Sequence, residues 1–135
     1  MIVEMLKGDK NYHFICLKDN SVVGISLMYI FRSLRIGFLD YMAVTPNYQR
    51  HGLGKKISEV SFEKFKSDIP DATGLLMEIQ REDVPNLPER ESNVRKNRIR
   101  FYMMLGAKIL ERVRYLIPPI QYGIEPEEMY LMMYV

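Results

Sequence analysis

Apolar residues recur at two different periods along this chain, and the switches between them mark its elements. Tyr12 to Leu17 and Val22 to Ile30 are β-rich runs on either side of the turn-like cluster Lys18-Asp19-Asn20-Ser21, which predicts a hairpin. Ile36 to Val44 predicts a third strand. A period of two places Asp40 on the face of Ile36, Phe38, Met42 and Val44. Leu53, Ile57, Val60, Phe62 and Phe65 then follow a helical spacing to Lys66, with Pro70 just beyond. Leu75 to Gln80 reads as a strand with Glu78 beside Leu76 and Gln80 on one face, and Leu75, Met77 and Ile79 on the other. Pro85 and Pro88 make 81–89 a loop. A second helix is expected from about Ser92 to Leu105, closed by Gly106 at a C-cap position, then strands over 108–117 and 129–135. The order predicts a mixed α/β layer structure, one domain over 1–135.

Between the third strand and the first helix stands Gln49-Arg50-His51-Gly52-Leu53-Gly54. Two glycines let the backbone turn tightly and approach a ligand, so successive amides can point at one spot. The helix start adds unpaired N–H donors and a partial positive charge of roughly half a unit, which suits phosphate. A P-loop is excluded, because Gln49 holds its first glycine position and Lys56 its hydroxyl position. The dinucleotide fingerprint fails at Ile57, where its third glycine belongs.

The pattern Q/R-x-x-G-x-G/A after a strand ending in Ala43-Val44 resembles the cofactor motif of the GNAT superfamily of N-acetyltransferases, and the likeness runs from Leu39 to Gly54. A second likeness lies in Arg98-Ile99-Arg100-Phe101-Tyr102-Met103-Met104-Leu105-Gly106-Ala107, similar to that family's segment with an aromatic-tyrosine pair before a glycine. The resemblance implies a GNAT-like fold and acetyl-CoA as acyl donor. It implies that Met42, Ala43, Val44, Gln49, Arg50, His51, Gly52, Leu53, Gly54 and Lys55 line the cofactor site, with Tyr102 facing the thioester sulfur and Asn93 or Asn97 near the pantetheine arm. In the family's commonest pattern the asparagine falls where this chain has Arg95. The family also begins with a strand and one or two helices before the hairpin. About eleven residues precede Tyr12 here, so that strand and those helices are expected to be missing, and an uncovered strand edge predicts a homodimer.

Acetyl transfer to a primary amine needs three services. The ammonium must lose a proton, the developing oxyanion needs a donor, and the departing thiolate needs a proton. The resemblance implies a backbone N–H around Val44 for the oxyanion. Tyr102, a phenol of ordinary pKa ~10, can donate to a thiolate whose parent thiol lies near ~8.5. Glu78 is the leading proton acceptor and Asp40 the second. A bland reading stands beside each: Glu78 as a carboxylate paired with an arginine, Asp40 as a structural hydrogen-bond partner. His51 contributes only its amide, His13 is structural, and Cys16 reads as a small apolar strand residue.

Composition narrows little. The chain has 135 residues, 47% of them hydrophobic, with 19 basic against 17 acidic side chains, a balance that argues neither for nor against nucleic acid; no nucleic-acid partner is expected. The basic cluster Arg90, Arg95, Lys96, Arg98 and Arg100 lacks interleaved aromatics and reads as a solvated helix face. One cysteine, no spanning apolar run and no metal-ligand cluster predict a cytoplasmic protein without membrane or metal. Glu82, Asp83, Glu89 and Glu91 lean toward a cationic acceptor. The expected function is acetyl transfer from acetyl-CoA to an amine of a small molecule or peptide, by direct attack in a ternary complex. The alternative is a non-catalytic acyl-CoA-binding or sensor domain.

Overall fold

The computed structural model describes residues 2–7, 11–49, 52–119 and 121–135, with side chains from Cys16 onward. Its chain forms two compact units. One runs to Leu76 and takes in Val135, and the other is Met77–Tyr134.

In the first unit, β1 (Ile2–Lys7), β2 (Asn11–Lys18), β3 (Ser21–Phe31) and β4 (Ile36–Val44) pair antiparallel in chain order. Asp19 (φ 51°) and Asn20 (φ 64°) close the β2–β3 hairpin, since a two-residue turn that matches strand twist needs positive φ at both positions. The expectation of a missing first strand is corrected: β1 pairs with β2 from Ile2 opposite Leu17 to Lys7 opposite Tyr12. Only residues 8–10 separate these strands. The sheet edge is therefore β1 and not β2.

Helix α1 (Leu53–Asp68) covers one face of this sheet with Leu53, Ile57, Ser58, Ser61, Phe62 and Phe65, the spacing of a single helical stripe. It runs past the expected end at Lys66. Two serines in the stripe keep the contact close: Ser61 Oγ donates to Ser26 Oγ at 3.1 Å and Ser58 Oγ to Met42 Sδ at 2.9 Å. Gly37 is the tightest point. A Cβ there would stand 2.7 Å from Phe65 and 2.8 Å from Leu75.

Strand β5 (Gly74–Gln80) runs from the first unit into the second, with Gly74, Leu75, Met77 and Ile79 buried. The second unit continues with α2 (Glu89–Met104), β6 (Lys108–Ile109), β7 (Tyr115–Ile117) and β8 (Glu127–Tyr134). Both β6 and β7 pair antiparallel with β8. The single strand expected over 108–117 is thus broken, because Val113 turns back to donate to the Leu110 carbonyl at 3.2 Å. Helix α2 starts at Glu89, three residues before the expected Ser92, and ends at Met104, one before the expected Leu105, with Gly106 just past its cap. There Gly106 (φ 104°) donates to Met103 and Ala107 to Tyr102, each at 3.0 Å, the reciprocal pair of a Schellman motif.

Gly37→Ala is expected to destabilise the protein by about 1–3 kcal/mol, the usual cost of overfilling a packed core. Urea unfolding checks it, through a lower midpoint at unchanged slope.

Candidate active site

Strand β4 carries an extra residue. Met28 faces Leu39 and the next residue of β3, Leu27, faces Tyr41, so Asp40 is the unmatched residue of a β-bulge. Side-chain parity reverses there. Before the bulge Gly37 and Leu39 are buried on the α1 side; after it Met42 meets Ser58 of α1. Asp40 and Tyr41 fall together on the outer face and both are exposed. Asp40 thus keeps Ile36 and Phe38 on its face as expected, while Met42, expected beside them, is corrected to the α1 side.

The same insertion redirects the backbone. Thr45 N–H donates to Val23 O at 2.9 Å, which makes that pair hydrogen-bonded and the neighbouring pair, Val44 opposite Gly24, non-bonded. The Val44 N–H and C=O therefore point away from β3. The carbonyl takes a hydrogen bond from Gln49 Nε2 at 3.0 Å, fixing the Gln49 side chain across the turn that leaves β4. A 3₁₀ turn over Pro46–Tyr48 carries the chain toward α1.

Gly52 caps α1 in the left-handed region (φ 77°, ψ 6°), with open space where a Cβ would be. No side chain caps the helix and no acid stands in its first turn. The first intrahelical bond runs from Lys56 N–H to Gly52 O, so the amides of Leu53, Gly54 and Lys55 have no acceptor in their own helix. Unpaired amides at a helix start suit an anion. The Leu53 side chain is buried under the helix and offers only its amide, while Lys55 pairs with Glu59 at 3.8 Å on the surface. Arg50 and His51 lie outside the described residues, as does the His13 side chain.

The remaining candidates belong to the second unit. Tyr102 sits in the last turn of α2, 6% exposed, edge-on to Phe101 with ring centroids 5.2 Å apart. Burial pushes its hydroxyl up to about 12, against a smaller opposing pull from Arg98. Glu78 is half-buried on the expected face of β5 and accepts a short hydrogen bond from Tyr115 Oη. That bond, with burial second, raises Tyr115 to about 12. The partner foreseen for Glu78 was an arginine; the phenol stands 37 residues further along, brought in by β7, and no local pattern announced it. Asn93 and Asn97 are exposed on α2.

Arg81 and Arg95 were also unforeseen as anchors. Arg81 forks onto Asp83 at 2.8 and 2.7 Å, reaches Glu128 at 3.3 Å and lies 4.6 Å over the Tyr130 ring. Arg95 donates to the Arg81 carbonyl at 2.9 Å and to Glu91 at 3.0 Å, so it is a tie between α2 and the preceding loop and not part of a solvated face. Tyr130, raised to about 12 by burial and by its bond to Glu82, engages a fourth carboxylate. Of the acids that favoured a cationic acceptor, Glu82, Asp83 and Glu91 are thus already partnered. Among the described residues no group of His, Cys, Asp and Glu could hold a metal ion, and no helix is long and apolar enough to cross a membrane.

A sequence model of the acetyltransferase (GNAT) family matches residues 2–106. Among solved structures, a GNAT-family protein from Bacteroides thetaiotaomicron is 22% identical over 93% of this chain and 61% of its own, with a TM-score of 0.64. The ribosomal-protein-S18-alanine N-acetyltransferase of Escherichia coli is 20% identical over 95% of this chain and 70% of its own, TM-score 0.66. A GNAT acetyltransferase from Elizabethkingia anophelis, solved with acetyl-CoA bound, is 15% identical over 93% and 76%, TM-score 0.65. This chain thus spans under two thirds of the Bacteroides protein. A search of curated protein sequences returned no match.

Three phenols, Tyr102, Tyr115 and Tyr130, are held up to about 12 against an ordinary value of 10. A raised acid stabilises the fold fully below its unfolded pKa and loses that contribution as pH climbs through its folded pKa. Stability is therefore expected to fall between about pH 10 and pH 12. Near-ultraviolet phenolate absorbance should show a late titrating group of tyrosines, reduced by one step in Tyr102→Phe.

Proposed function

Because this chain belongs to the GNAT acetyltransferase family, we propose that it moves the acetyl group of acetyl-CoA onto a primary amine by direct attack in a ternary complex. The observation that carries the reading is the uncapped start of α1 immediately beyond a strand whose Val44 amide is turned off the ladder. The amides of Leu53, Gly54 and Lys55 would hold the pyrophosphate, with Arg50 and His51 contributing to the same loop. Met42, Ala43, Val44 and Gln49 would line the pantetheine arm, and Asn93 and Asn97 are the side-chain donors proposed for it. The thioester supplies an activated acetyl carbonyl.

In the reaction the amine nitrogen forms a bond to the acetyl carbon and the carbon–sulfur bond breaks. The Val44 N–H would stabilise the oxyanion between these events. The ammonium proton leaves to Asp40 or, through water, to Glu78, and the thiolate takes a proton from Tyr102. A phenol held near 12 stays protonated across the working pH range, which suits a donor. Exposure favours Asp40 over Glu78 as acceptor, because one Glu78 oxygen already receives the Tyr115 hydroxyl.

Release of CoA thiol across an amine panel tests the activity. Tyr102→Phe is expected to lower kcat by roughly a hundredfold while acetyl-CoA affinity changes little; unchanged turnover would remove Tyr102 from the mechanism. Gly54→Asp separates binding from stability. An acid in the first turn favours the helix by about 0.3–1 kcal/mol, yet it should weaken acetyl-CoA binding at least tenfold, measured by calorimetry. Tight acetyl-CoA binding with no turnover on any amine would leave the binding-domain reading in place.

A further inference from the structure

Resting on the transferase reading above, we infer that the acceptor amine carries an uncharged apolar substituent, received by a pocket on the outer face of β3 and β4. The pocket has a volume of about 230 Å³, and Val22, Ile25, Tyr41, Ala43, Val44 and Thr45 are among its lining residues. No charged side chain lines it, and Thr45 brings its only side-chain hydroxyl apart from that of Tyr41.

Position ties the pocket to the reaction. If Val44 N–H holds the carbonyl oxygen, that oxygen lies about 3 Å from the amide. The attacking nitrogen stands about 3–3.5 Å from the carbonyl carbon. The first atoms of the acceptor beyond its nitrogen are thus within a few ångströms of Val44, a residue of the pocket wall. Helix α1 packs on the opposite face of the sheet and leaves this one open, with Val22 51% and Tyr41 52% exposed.

The bulge supplies the rest. It sets Asp40 and Tyr41 side by side on the outer face, a carboxylate for the ammonium next to a ring for the body attached to it. A second positive charge on the acceptor would have to lie against Val22, Ile25 and Tyr41 without a partner, which is costly. Two of the acids that could have drawn such a charge are engaged elsewhere, Asp83 by Arg81 and Glu91 by Arg95.

Thiol release with 2-phenylethylamine and isoamylamine, set against spermidine and free lysine, tests the pocket. The apolar amines are expected to show kcat/KM at least about tenfold higher, the range one buried apolar group commands. Tyr41→Ala should cut that preference about tenfold. Ile25→Glu should swing it toward spermidine, a gain that misfolding cannot produce. Preference for spermidine or lysine in the unaltered protein, or a ratio untouched by both substitutions, overturns the inference and leaves the transferase standing. Failure of every amine to react while acetyl-CoA binds overturns the transferase reading and the pocket assignment with it.

Discussion

One inserted residue in β4 sets the terms for the rest of the first unit. With the pairing of Met28 and Leu39 continued without a bulge, Val44 would fall opposite Val23 and its amide would be spent in the ladder. Asp40 shifts the register by one, so that Thr45 takes the Val23 carbonyl and Val44 is left with both polar groups directed outward. The same shift places Met42 against Ser58 and moves Tyr41 to the outer face. A backbone donor, a core contact and an open apolar surface all descend from that single residue.

The second unit relies on other forces. Helix α2 buries only Ile99 and Tyr102, too little apolar surface to hold a sixteen-residue helix by the hydrophobic effect alone. Its ends are instead tied by hydrogen bonds. Arg95 grips the Arg81 carbonyl and Glu91 near the start, and the Schellman pair closes the last turn on the carbonyls of Tyr102 and Met103. The Arg81 fork onto Asp83 and its reach to Glu128 hold the loop before the helix to β8. Charges that resemble a solvated or substrate-facing set are in large part the fastening of Tyr102's helix.

Much of this was legible in the chain. Gly52 announced the turn into α1 and Gly106 the end of α2, because a left-handed backbone favours glycine. The face of β5 that carries Glu78 followed from simple alternation. What escaped depends on pairing between distant residues. A bulge is invisible to a period of two, since it is defined by the partner strand, and so Met42 was placed on the face of Asp40. Tyr115 reaches Glu78 only because β7 folds onto β8 and brings a remote phenol back to β5. The first strand was lost for a different reason: expectation of the family's usual opening outweighed the short apolar run from Ile2 to Leu6.

These observations divide the proposed chemistry by the kind of atom that performs it. Binding of phosphate and stabilisation of an oxyanion fall to backbone amides, set by a left-handed glycine and a register shift that many side chains could accompany. Proton transfer and acceptor choice fall to side chains, Tyr102, Asp40, Glu78 and Tyr41. Substitution on such a scaffold does not cost all functions equally. The proposed donor site would survive a change that keeps the bulge and the cap, which fits a fold shared with solved structures only 15–22% identical. The proposed acceptor site would change whenever an outer-face residue of β3 or β4 does, so specificity would move while the backbone proposed to hold acetyl-CoA stays as it is.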